Sequence, residues 1–164
     1  MSRRLAEVDT GEIDLVVFSI DGVMCALGID EVQEIKRIAF VTRVHHGPEY
    51  VAGVVNLRGQ IVTLIDLRKR LKYDSCTIDN SSRMIVVKRG DEQIGLLVDS
   101  IEDAVVARSE EIVQPPSNVQ GAEGRFFRGV YTSSDSLIAI LDKDAILEKE
   151  KTDSGVSGTG AVFE

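Results

Sequence analysis

Apolar residues in this chain come in short runs rich in valine and isoleucine, separated by polar or turn-forming residues. The runs are 13–20, 23–27, 32–38, 53–57, 60–65, 84–88, 94–98, 101–107, 128–132 and 137–141. Each has strand length, and β-branched side chains suit a pleated, half-buried surface. Asp21-Gly22, Arg58-Gly59, Gly90-Asp91 and Ser134-Asp135 stand where the chain must reverse between runs. Helical pattern is confined to single turns ending at Leu71 and Leu147. Asp66 and Asp142 precede them as N-caps, since a carboxylate there accepts otherwise unpaired backbone N–H groups. The pattern predicts an all-β protein with short helical turns.

The stretch 50–71, YVAGVVNLRGQIVTLIDLRKRL, has an echo. With Gly53 set on Gly129, Val54 meets Val130, Ile61 meets Leu137, Val62 meets Ile138 and Leu64 meets Ile140. Ile65 then meets Leu141, Asp66 meets Asp142 and Leu71 meets Leu147, without a gap. Upstream, Leu27, Ile29, Val32 and Ile35 align with Leu96, Val98, Ile101 and Ala104, provided the Gly90 turn is one residue longer than the Gly22 turn. A repeated supersecondary unit signals a duplicated scaffold. It divides the chain into a first barrel at about 13–72 and a second at about 83–147, with room for strand exchange near their junction. Each half has enough strands for a small barrel but buries little surface alone. Runs 61–65 and 137–141 are apolar on both faces, so the halves are expected to pack through an apolar seam. Residues 73–82 read as a polar crossover, and 114–124, with Pro115-Pro116, as a long loop. Residues 1–12 read as an N-terminal arm, and 152–164, rich in Gly, Ser and Thr, as a disordered tail.

Composition narrows the function. The formal net charge of −8 opposes a nucleic-acid or anionic-lipid partner. Two cysteines in unrelated contexts, Cys25 and Cys76, make no disulfide framework and suit a reducing compartment. No apolar run approaches membrane-spanning length, and the N-terminus lacks the apolar core of a signal peptide, so a cytoplasmic location is expected. His45 and His46 fit no zinc spacing with the cysteines. No nucleophile–base pair or phosphate-cradling glycine loop is evident either. An unrecognised enzyme and a nucleic-acid-binding small barrel are the rival readings to a binding protein.

Val32-Gln33-Glu34-Ile35, the run 53–59 (GVVNLRG) followed by Ile65-Asp66-Leu67-Arg68, Leu97-Val98-Asp99-Ser100-Ile101, and the unit 129–142 together resemble the CheW family. The match runs in order over about 13–147. It departs at Thr63, where the family usually has proline, at His45-His46-Gly47, and at Cys25-Ala26, a place often held by a bulky residue. The resemblance implies two SH3-like five-stranded barrels in a pseudo-symmetric pair, with no cofactor and no catalysis. It implies an adaptor between the cytoplasmic tip of a methyl-accepting chemoreceptor and the regulatory domain of the histidine kinase CheA. Such a protein is expected to be monomeric when free, recruited to membrane receptor arrays without inserting in the bilayer, and not to bind nucleic acid.

Arg58 is the sharpest candidate residue. Its repeat counterpart is Ser134, so the scaffold is duplicated and the arginine is not. A guanidinium in a tight turn suits recognition of carboxylates or carbonyls, or a local pair with Glu34. Val32, Ile35, Ile101 and Ala104 form a second group, and composition alone favours burying all four. The resemblance implies that Val32, Glu34, Ile35, Arg58, Ile101 and Ala104 belong to a receptor-binding groove that takes an amphipathic helix. It places kinase binding at Gly53, with Val54 and Val41 beside it.

Overall fold

The computed structural model describes residues 11–74 and 78–148. In order, the elements are β1 (Glu12–Ile20), β2 (Val23–Gly28), β3 (Glu34–Arg37), β4 (Val51–Leu57), β5 (Gln60–Asp66), α1 (Leu67–Arg70), β6 (Arg83–Arg89) and β7 (Glu92–Val98). Then follow β8 (Ser100–Arg108), β9 (Asn118–Val119), β10 (Ala122–Glu123), β11 (Phe127–Ser133), β12 (Ser136–Leu141) and α2 (Lys143–Leu147). The protein is all-β with short helical turns. Asp66 and Asp142 cap them, accepting from the Arg68 and Ala145 backbone N–H groups at 3.0 and 3.2 Å. The arm and the tail, like Cys76, lie outside the described residues apart from Gly11 and Glu12.

Hairpins β1–β2, β4–β5, β6–β7 and β11–β12 all close through two-residue loops. The first loop residue, Asp21, Arg58, Gly90 or Ser134, has positive φ in each case. That is the twist a two-residue hairpin demands. The Gly90 turn is therefore no longer than the Gly22 turn, contrary to the sequence alignment. Glycine comes second in Asp21-Gly22 and first in Gly90-Asp91, and matching the glycines displaced the register by one. The loop expected at 114–124 also contains structure. Gln120-Gly121, both at positive φ, turns the ribbon β9–β10, which buries Val119 and Ala122.

Two five-stranded sheets carry the fold, in the orders β11-β12-β2-β1-β8 and β4-β5-β7-β6-β3. The orders are equivalent under the repeat: trailing hairpin, leading hairpin, single strand. Each leading hairpin, however, pairs with the trailing hairpin of the other repeat. β2 runs parallel to β12, and β7 runs parallel to β5. Contiguous barrels at 13–72 and 83–147 therefore do not occur. The first repeat gives β1 and β2 to one sheet and β3, β4 and β5 to the other. The chain crosses once through the 3-10 turn Ile29–Glu31 and once at Asp99. Sequence similarity identifies equivalent strands but not which copy of a hairpin pairs with which.

Strand alternation divides the core into three. Leu15, Val17, Ala26, Ala107, Tyr131, Ile138 and Ile140 fill the interior of the first sheet's barrel. Val55, Leu57, Val62, Leu64, Met84, Val86 and Leu97 fill the second. The opposite faces of the same strands meet between the sheets, where Phe18, Ile20 and Leu27 pack with Ile65, Ile85, Val87, Leu96 and Leu141. Here is the apolar seam, and it explains strands that are hydrophobic on both faces.

Candidate functional site

Arg58 projects from the β4–β5 turn with its side chain 61% exposed. Asn56 Oδ1 accepts from the Gly59 N–H at 2.9 Å and closes the turn beneath it. Arg58 Nη1 donates to Glu34 Oε1 at 3.2 Å, and Nη2 donates to Glu34 Oε2. The two parallel bonds fix the guanidinium plane. Hydrogen bonding from Arg58 holds the Glu34 carboxyl below the usual carboxylate range, aided by the charges of Arg58 and Lys36. Five N–H groups in a rigid fork leave donors facing solvent even when the pair is made.

Strand alternation separates Glu34 from Ile35. Glu34 stands opposite Val86, a barrel-interior residue, and Ile35 stands opposite Ile85, a seam residue. Ile35 and its repeat partner Ala104 lie on β3 and β8, the terminal strands of their sheets, and both are exposed. Val32 and Ile101 are half-buried and pack against the seam cluster. The burial of all four that composition favoured is thus corrected: an edge strand has no neighbour to cover its seam-facing side chains. The six residues form two subsets, an ionic pair at a hairpin tip and an apolar set at the borders of the seam.

Gly53 is buried at a bulge in the β4–β5 pairing, with φ +153°. A Cβ on Gly53 would run into the Thr42 carbonyl oxygen and meet Val41 Cγ1 at 2.9 Å. The close approach lets Thr42 and Val54 exchange backbone hydrogen bonds of 2.9 and 2.8 Å. Val54 is half-buried, and half-buried Val41 packs against the barrel interior. Gly129 repeats the device: its Cβ would collide with Ile112, and Val113 and Val130 exchange the equivalent bonds.

Two further arginines tie the sheets together: Arg68, which the sequence offered only as part of a family motif, and Arg70, which it did not single out. Arg68 on α1 donates to Asp99 Oδ1 from Nε at 3.0 Å and to Asp99 Oδ2 from Nη2 at 2.6 Å, and reaches Asp21 Oδ1 at 3.0 Å. It thereby joins a crossover, a β1–β2 turn and the end of β5. Arg70 is 1% exposed. Its Nε donates to the Ile146 carbonyl at 2.9 Å, and Nη2 donates to those of Ala145 and Glu148 at 3.2 and 2.9 Å. Its guanidinium lies 4.5 and 4.8 Å from the ring centres of Tyr50 and Phe126. An arginine amid RKR gives no sign in the sequence that it points inward. Among the described residues, no cluster of three or more His, Cys, Asp or Glu side chains is arranged to hold a metal.

Residues 14–151 match the family model of the CheW-like domain. The chain belongs to the CheW family. This CheW-like chain is 33% identical over 151 residues to the chemotaxis protein CheW of Bacillus subtilis, covering 92% of itself and 96% of that protein. It is 30% identical to the chemotaxis protein CheW of Thermotoga maritima, covering 88% and 94%. The crystal structure of the scaffolding protein TtCheW from Thermoanaerobacter tengcongensis superposes with a TM-score of 0.79 at 28% identity, covering 88% of this chain and 94% of that one. No helix among the described residues is long and apolar enough to cross a membrane.

Proposed function

We propose that this CheW-like chain is a non-enzymatic adaptor in chemotaxis signalling, coupling chemoreceptor cytoplasmic tips to the regulatory domain of the histidine kinase CheA. The observation that carries the reading is the Arg58 turn. It is exposed, held by Glu34, and present in only one copy of a duplicated scaffold. In this reading Arg58 and Glu34, with Val32, Ile35, Ile101 and Ala104 along the seam borders, engage an amphipathic receptor helix. Gly53, Val54 and Val41 serve the kinase side. Both surfaces belong to one body joined by a continuous seam core, so receptor and kinase are held in fixed relative geometry. The chain works without a cofactor at the cytoplasmic face of receptor arrays. It is monomeric until recruited, and it neither enters the bilayer nor binds nucleic acid.

Reconstitution tests this directly. Adding the protein to purified receptor and kinase is expected to bring autophosphorylation under receptor control. The same kinase activity with and without it would refute the adaptor role.

A further inference from the structure

The second sheet's barrel opens where the Arg58-Gly59 turn, the Gly90-Asp91 turn and the start of β3 come together. β5 and β7 run parallel with Thr63 opposite Ile94, so both turns lie at one end of the sheet. Glu34, opposite Val86, brings the start of β3 to the same end. A cavity of about 510 Å³ lies there, with Val62 of the barrel interior in its lining. That size is within the range of small-molecule sites, and barrel mouths are among their usual places.

Strand alternation supplies the lining. Gln60 alternates with Val62 on β5, and Lys88 with Val86 on β6, so both continue the interior rows to the rim. Gln93 stands opposite Lys88 in the β6–β7 register. Gln33 and Asp91 add polar groups, and Ile61, 67% exposed, adds an apolar wall. Glu92 is engaged, accepting from Arg89 Nη2 at 2.8 Å. The side chains of Gln33, Gln60, Gln93, Lys88 and Asp91 have no hydrogen bond or ion pair among the described residues. Lys88 is anchored through its backbone, its carbonyl accepting from Lys143 Nζ at 2.9 Å.

The other barrel has the same mouth with different chemistry. The equivalent turns match Gln60 with Ser136, Lys88 with Ser19, Asp91 with Gly22 and Gln93 with Met24. Gln33 matches Glu102. Ser19, in place of the ammonium, is bonded to the Ser100 hydroxyl at 2.9 Å. Closing a barrel therefore needs neither the lysine nor the three carboxamides.

We propose that this mouth is a binding site for a short zwitterionic peptide, with Asp91 taking its ammonium, Lys88 its carboxylate and the three glutamines its backbone. A cation and an anion, each without a protein partner, match a ligand that carries both charges. A carboxamide donates and accepts as a peptide group does. A free amino acid has no peptide group to engage them and fills less of the cavity. The site does not depend on the adaptor reading, and neither Arg58 nor Glu34 lines it.

Backbone amide shifts of the isotope-labelled full chain, followed while tri-alanine is added, test the site. Saturable shifts are expected at 33, 60–62 and 88–93, and none at 19–24 or 136–137 in the other mouth. Lys88→Gln and Asp91→Asn should each weaken binding about three- to fivefold. Both residues are exposed, so the rest of the spectrum should stay native. Tri-alanine amidated at its carboxyl end should bind more weakly and be indifferent to Lys88→Gln. Tri-alanine acetylated at its amine should be indifferent to Asp91→Asn. Absence of saturable shifts, equal shifts at both mouths, or equal affinity in the variants would overturn the site. Full sensitivity of the capped peptides to the matching substitutions would overturn the assignment of the two charges. Free alanine binding as tightly as tri-alanine would overturn the peptide as ligand.

Discussion

Arg58 and Arg70 carry the same charged group into opposite surroundings. Arg58 pairs at the surface, where side-chain entropy and solvent screening leave an ion pair little influence on stability. Arg58→Ala is therefore expected to weaken receptor-tip binding in a pull-down while Tm stays nearly constant; a collapse of Tm would mark the residue as structural. Its partner Glu34 has a lowered folded pKa, so the pair is fully formed above the unfolded value of about 4.3. The pair is lost as pH falls through the folded value, and a carbon-13 titration should place the Glu34 midpoint lower in the folded protein than in the Arg58→Ala variant. Arg70 satisfies three carbonyls at the end of α2 from inside the molecule. Arg70→Met keeps much of the volume but leaves those carbonyls unpaired, and urea unfolding should show a loss of roughly 3 kcal/mol. Burial pushes the Cys25 thiol up to about 12, with Asp99 adding to the shift. In a Cys76→Ser background, a thiol reagent at neutral pH should therefore label Cys25 only as the protein unfolds.

Hairpins and capped turns are the elements from which the fold is assembled, and most were legible in the sequence. Each predicted apolar run became a strand, and in the inner strands most valines and isoleucines found cover on both faces, whereas Ile35 and Val106 on the edge strands stayed exposed. The Asp66 and Asp142 caps were readable from chemistry alone. Removing one by Asp142→Ala should cost about 1 kcal/mol, read as a shift in the urea midpoint with the slope unchanged. The ribbon β9–β10 was hidden by its prolines and by apolar positions too few to show a period. Arg70 was hidden because a charged residue in a basic triplet reads as solvated. The candidate site was legible in its parts. Arg58 stood out from the repeat by having no counterpart. Whether Ile35 and Ala104 were covered depended on which strands end each sheet, and that is a property of pairing.

At the scale of the molecule, the repeat conceals how its hairpins pair: the two barrels are interlocked. Each sheet takes strands from both repeats, and every leading hairpin shows one face to its own barrel and the other to the seam. Neither sheet can open without stripping the shared cluster, so thermal and chemical unfolding should follow a single transition by every probe. Two offset transitions would mean that the sheets unfold separately. The crossovers also define where the chain could be re-cut. The sheet β4-β5-β7-β6-β3 lies wholly within residues 34–98, whereas the other takes β1 and β2 from before that stretch and β8, β11 and β12 from after it. Linking the chain after α2 to the chain before β1 and opening new ends within the Ile29–Glu31 turn would give a circular permutant with its barrels strung one after the other. Such a molecule would keep every native strand partner while halving the number of times its backbone passes between them.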